Sequence, residues 1–153
     1  MNVVELRTRE ELRTAWPVMR ELRGHLTEDQ WLQLTETMAA DGYRLLALQD
    51  GDGAILAAAG IRLATNLYYG RHVWVYELVT AGGARSRGHG QALLGHVEEI
   101  AAAEGCEMVA LSSGLQRVDA HRFYEERMGY DKVSYTFTKR VGPGDASMYG
   151  TGR

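Results

Sequence analysis

One cysteine, Cys106, and two lysines, Lys132 and Lys139, are all that this 153-residue sequence has of either type. A lone cysteine excludes an internal disulfide, a thiolate zinc cluster and a redox pair within one chain, which makes a reducing compartment the expectation. No apolar run approaches the ~20 residues of a membrane-spanning helix. The N-terminus shows no basic segment leading into an apolar core, so an unsecreted, cytoplasmic protein with no membrane partner is expected. A formal net charge of -3 argues against a broad nucleic-acid surface, because affinity for phosphate backbones rests on many basic contacts. The five histidines are scattered, without paired acidic or cysteine ligands at metal-binding spacing, and no metal is expected. The sequence has no evident repeats, and its length and ordinary apolar content predict one globular domain.

Apolar spacing and end signals order the elements. Residues 3–7 read as a short strand. Thr8 with Glu11 then makes a capping-box pattern opening a helix whose apolar face is Leu12, Trp16, Met19 and Leu22. Pro17 removes an N–H and crowds the preceding turn, which predicts a kink or two half-helices. Thr27 with Gln30 caps a second helix, Glu28–Ala40, with Trp31, Leu34 and Met38 on one side and Gly42 ending it. Residues 43–49 and 54–66 read as strands joined by Asp50, Gly51, Asp52 and Gly53, residue types that tight hairpins require. A turn near Tyr69, Gly70 and Arg71 leads into a strand over 72–80, completing an antiparallel meander.

A helix over 91–104 follows, striped by Leu93, Val97, Ile100 and Ala101 and ending near Gly105, and then a short buried strand over 108–112. Strand, helix and strand in that order predict a parallel crossover. Asp119 is in place to cap a short helix through Arg127, and 133–139 reads as a last strand. The tail, 142–153, is rich in glycine and small polar residues and is predicted to be mobile. The fold class is therefore α/β (α+β): a mixed central sheet with an antiparallel N-terminal meander and a parallel β-α-β crossover, flanked by helices.

Between the strand at 72–80 and the helix from Gln91 stand Arg85, Ser86, Arg87, Gly88, His89 and Gly90. Glycines permit close backbone approach, the N–H groups of a helix start offer positive partial charge, and arginines add fork-shaped donors, so the stretch suits phosphate. By itself it reads equally as a glycine-rich connection with solvated arginines. A P-loop would need Lys then Ser or Thr after the last glycine, where Gln91 and Ala92 stand. A dinucleotide fingerprint would want glycine or alanine at Leu93.

With these parts in this order, the sequence resembles the GNAT superfamily of acyl-CoA N-acyltransferases, whose hallmark is Gln or Arg, two residues, Gly, one residue, then Gly or Ala. Arg85 to Gly90 matches it. The resemblance runs from Val3 to Arg140 and includes a short helix carrying Phe123 and Tyr124 before Met128, Gly129 and Tyr130. It implies a GNAT N-acetyltransferase domain over residues 1–141 and acetyl-CoA as cosubstrate. The pyrophosphate would be held by Arg85, Ser86, Arg87, Gly88, His89, Gly90 and Gln91, and the pantetheine arm would lie along Leu78, Val79 and Thr80, with a backbone N–H near Val79 polarising the thioester carbonyl. Ser112 would bind pantetheine amides or merely end its strand, as would Ser113. The segment after Gly129 is compact and leaves little room for two separate final strands. A homodimer is an expectation at family level only.

An alkyl ammonium with a pKa of ~10.4 is neutral about once in ~2,500 molecules at pH 7, a handicap of ~4.6 kcal/mol, so a base or a water relay helps its attack on a thioester. Glu77, just before the acyl-CoA-binding stretch, is the candidate base, and an ordinary paired carboxylate is the alternative. The resemblance makes Tyr124 the proton donor to the departing thiolate; packing beside Phe123 is the other reading. Cys106 reads as core filler, and His121 as a structural hydrogen-bonding group. His25, Glu28 and Asp29 sit where the family forms an acceptor wall, although solvated surface accounts for them too, as it does for Asp119 and Glu125. The expected acceptor is a small-molecule primary amine; a protein or peptide amine, or a non-catalytic CoA-binding sensor, are the alternatives.

Overall fold

The computed structural model describes residues 1–84 and 87–144. Arg85 and Ser86 of the glycine motif, and most of the predicted tail, lie outside the described residues. Among those described the order is β1 (Asn2–Leu6), α1 (Arg9–Arg23), α2 (Glu28–Ala40), β2 (Arg44–Gln49), β3 (Ile55–Asn66), β4 (Gly70–Thr80), a 3₁₀ turn (Gly82–Ala84), α3 (His89–Ala103), β5 (Met108–Leu111), α4 (Val118–Arg122) and a π-helical turn (Phe123–Arg127). The chain divides into two compact units, Met1–Leu111 and a second beginning at Ser112.

The first unit is built on a sheet ordered β1-β2-β3-β4-β5. Neighbours are antiparallel from β1 to β4, and β4 with β5 is parallel, joined through α3. Turn chemistry sets the meander: Asp50 Oδ1 accepts from the N–H groups of Asp52 and Ala54, each at 2.9 Å, and Gly53 takes a positive φ of 82°. Leu45, Leu46, Ala47 and Leu48 are all buried, so both faces of β2 are covered, as in a sheet layered between helices. α1 and α3 both pack on β3 and β4, and Met19, Leu32, Ile61, Leu93, Leu94 and Val97 are fully buried in the core.

Several expectations are corrected. α1 is one helix of 15 residues through Pro17, not two halves; Pro17 is exposed, while Ala15, Val18 and Met19 anchor both sides of it in the core, so packing outweighs one missing hydrogen bond. α2 buries Trp31, Leu32 and Thr35 while Leu34 is exposed, a rotation of the predicted face that lets Trp31 reach Trp16, ring centroids 5.4 Å apart. β5 is partly exposed rather than buried, Met108 most of all. Arg117, not Asp119, caps α4, and no side chain bonds the cap; Asp119 sits in the first turn, where the helix dipole favours a carboxylate. Over 133–139 there is no strand among the described residues, and Val133, Tyr135 and Phe137 are exposed. Their alternation favours extension, but strand propensity is expressed through pairing and half-burial, and neither is supplied there.

Candidate active site

β4 pairs with β5 only over His72↔Met108 to Val75↔Leu111, and with β3 all the way to Ala57↔Thr80. Past Val75, β4 therefore has one ladder partner among the described residues, and the backbone of Leu78, Val79 and Thr80 has no strand paired to it on the β5 side among them. A register shift marks the point of departure: Ile61 faces Val75 and Gly60 faces Glu77, so Tyr76 is an extra residue on β4. Such a bulge bends a strand and ends pairing, which is how one strand leaves its parallel neighbour. Leu78 and Val79 are buried.

α3 begins two residues earlier than its apolar pattern predicts, at His89, because Gly88 turns the chain with φ 81° and its carbonyl accepts from Ala92 N–H at 3.0 Å. Gly88 carries no side chain to cap the helix, so the first N–H groups of α3 are offered to other partners, the arrangement that suits an anion. His89 is buried, while Arg87, Gly88 and Gln91 are exposed. The loop before it is tied to α1, since Gly82 N–H donates to Glu21 Oε2 at 3.1 Å.

Glu77 is buried and both of its carboxylate oxygens are engaged. Tyr43 O–H donates to Oε1 at 2.6 Å, and Arg23 donates to Oε2 from Nε at 3.2 Å and from Nη2 at 3.0 Å. The same Nη2 donates to the carbonyl of the bulge residue Tyr76 at 2.9 Å. The pairing expected of an ordinary buried carboxylate is thus present, and it joins the last turn of α1 to the bulge. Burial, and then the charge of Glu77, push the Tyr43 hydroxyl well above the usual tyrosine range, so it stays a donor. His25, half-buried after α1, is held below the ordinary histidine value by burial and by the charge of Arg23. Glu28 and Asp29 occupy the first turn of α2.

Tyr43 and Arg23 escaped the sequence reading because they lie 34 and 54 residues from Glu77. Gly60 carried a usable signal, since an isolated glycine inside a strand marks a bulge or a close approach. A Cβ there would run into Glu77 Oε1 and the Tyr43 hydroxyl.

In the second unit, the π-helical turn closes with Met128 N–H donating to Phe123 O at 3.1 Å, and Tyr130 N–H donates to Tyr124 O at 2.8 Å past Gly129, φ 73°. Single π turns recur at functional sites. Tyr124 is buried, its ring 5.4 Å from Phe123 and 6.1 Å from Tyr130. Burial raises its hydroxyl above the ordinary tyrosine value, against the opposing pull of Arg117, which keeps it protonated at neutral pH. His121 Nε2 bonds Gly114 O at 2.8 Å, the structural contact anticipated for it. Ser112 Oγ lies 3.4 Å from Thr136 Oγ1, whereas Ser113 Oγ is buried without a hydrogen-bond partner among the described residues. Glu125 is 3.7 Å from Lys132, and Cys106 is buried.

The profile of the Acetyltransferase (GNAT) family matches residues 6–130. The chain belongs to the GNAT family. It is 39% identical over 142 residues to YhdJ of Bacillus subtilis, an uncharacterized N-acetyltransferase, covering 92% of this chain and 99% of that one. It is 35% identical over 100 residues to the aminoalkylphosphonate N-acetyltransferase of Salmonella typhimurium, covering 65% of this chain and 62% of that protein. The crystal structure of a ribosomal-protein-alanine N-acetyltransferase from Brucella melitensis superposes with a TM-score of 0.76 at 14% identity, over 92% of this chain and all of that one (100%), a likeness of fold alone. The mixed five-stranded sheet is thus the GNAT fold, and N-acetyltransferases recur among the relatives of this GNAT protein.

Proposed function

We propose that residues 1–141 form an N-acetyltransferase that moves the acetyl group of acetyl-CoA to a primary amine of a small molecule, by direct attack within a ternary complex. The observation that carries this reading is the departure of β4 from β5 at the Tyr76 bulge, which leaves strand backbone open where an extended arm can pair. The α3 start at Gly88, without a side-chain cap, adds N–H donors suited to a pyrophosphate. Together with Arg85, Ser86 and Arg87, the residues through Gln91 would hold that group; Leu78, Val79, Thr80 and Ser112 would take the pantetheine, and the unpaired hydroxyl of Ser113 offers one further donor. A backbone N–H near Val79 polarises the thioester carbonyl, a kind of contact worth ~3 kcal/mol when aimed at developing charge.

The acceptor amine loses its proton through a water to Glu77. A carboxylate has about four acceptor positions, and the three donors from Tyr43 and Arg23 leave one on Oε1. Tyr124 gives its proton to the departing thiolate. The similarity to an aminoalkylphosphonate N-acetyltransferase supports a small amine as acceptor.

Direct transfer needs no protein nucleophile. Initial rates with donor and acceptor both varied should give intersecting lines, and Cys106→Ala should keep turnover within about twofold of the wild type. Parallel lines, or loss of activity in that variant, would contradict direct transfer.

A further inference from the structure

Glu77 is faced by groups from three segments. Arg23 comes from the end of α1, Tyr43 from the residue before β2, and Tyr76 is its neighbour on β4, with the Tyr43 and Tyr76 ring centroids 5.8 Å apart. On the other side of Arg23, His25 feels the guanidinium charge. Arg23 saturates Oε2 and also holds the Tyr76 carbonyl, so it fixes the far side of the carboxylate to the bulge. Oε1 is different: among the described residues it has one donor, the hydroxyl of Tyr43.

That contact depends on a residue with no side chain. Gly60 stands opposite Glu77 in the β3–β4 ladder, and any Cβ there would overlap both Glu77 Oε1 and the Tyr43 hydroxyl. Three positions far apart in sequence are thus fitted to one hydrogen bond beside the bulge.

We propose that Tyr43 is a positioning residue for Glu77: its hydroxyl pins Oε1, so that the one acceptor position left open on the carboxylate faces a single direction, from which a water delivers the proton of the acceptor amine. The proposal rests on the reading of Glu77 as the base. In the step itself the amine nitrogen keeps its electron pair for the thioester carbon, its proton passes to the water, and a proton of that water passes to Oε1. Tyr43 exchanges none. Without the hydroxyl, Oε1 is held only through the grip of Arg23 on Oε2, so its loss affects the proton step more than donor binding.

The test uses the full chain and a reactive amine acceptor, with turnover measured from pH 6 to pH 9 for the wild type, Glu77→Gln, Tyr43→Phe and the double variant. The base matters most where the amine is most protonated. Tyr43→Phe should therefore lower kcat about tenfold at pH 6 and no more than about twofold at pH 9, with the KM for acetyl-CoA unchanged. In the Glu77→Gln background it should add nothing, since residues acting through one group are not additive. Gly60→Ala, whose Cβ would overlap Glu77 Oε1 as well as the Tyr43 hydroxyl, should lose at least as much at low pH, and an unchanged urea midpoint and acetyl-CoA affinity for Tyr43→Phe show that the first variant still folds. A loss that is the same at every pH, or that multiplies with Glu77→Gln, would overturn the positioning role. A Glu77→Gln deficit that does not grow as pH falls would instead remove Glu77 as the base, and this inference with it.

Discussion

Replacing Tyr124 with Phe should lower turnover ~100-fold or more while leaving acetyl-CoA affinity nearly intact. The substitution keeps the ring that packs against Phe123 and Tyr130, and the backbone bonds of the π-helical turn do not involve the side chain. What disappears is one O–H. Because burial raises that hydroxyl above the ordinary tyrosine value despite Arg117, the protonated, donating form persists to higher pH than in a free tyrosine. Turnover that depends on it should accordingly show no basic-side loss before about pH 10. The check is kcat at saturating donor and acceptor, set beside a direct acetyl-CoA titration of the same variant. A loss smaller than about threefold would assign Tyr124 to packing.

Removing the guanidinium of Arg23 should have the largest effect on stability. Arg23→Ala leaves a buried carboxylate with the Tyr43 hydroxyl as its one remaining donor among those described, and takes the donor from the Tyr76 carbonyl. Breaking a buried pair from one side costs about 3 kcal/mol, mainly because the other charge stays behind without compensation. With side-chain exposures of 18% for Arg23 and 9% for Glu77, water replaces little of what is lost. Urea unfolding should show a lower midpoint with an unchanged slope. The same substitution made on Glu77→Gln should cost about 1 kcal/mol, since no buried charge is stranded. Equal costs in the two backgrounds would mean that the pair contributes no coupling.

Local signals made some of this architecture legible. The bounds of α2 follow from the Thr27 and Gln30 capping box, which is formed as read, and from Gly42, whose φ of 101° ends the helix. The hairpin at Asp50 to Gly53 is encoded in four residues. The glycine motif was legible because strand, loop and helix adjoin in sequence. Interactions decided across the fold were hidden: which face α2 buries depends on where Trp16 lies, and whether Pro17 splits α1 depends on packing on both sides of it. The alternation at Val133, Tyr135 and Phe137 is a strand signal without a ladder to join. At the site, Glu77 could be named from its position before Leu78, but its partners could not. Beside the bulge at Tyr76, Gly60 admits Tyr43 and Glu77 together, and pairwise fit of that kind leaves only a lone glycine in the sequence.

Acetyl transfer to a small amine releases two products, and both can be followed at once. Purified protein is incubated with acetyl-CoA and pools of small primary amines, aminoalkylphosphonates first, with peptide pools alongside, while free thiol and N-acetylated acceptor are quantified together. Thiol release should require a small-amine pool, equal the acetylated amine formed, and collapse in Tyr124→Phe. Acetyl-CoA binding without release across the whole panel, or release with peptides alone, would contradict transfer to a small amine.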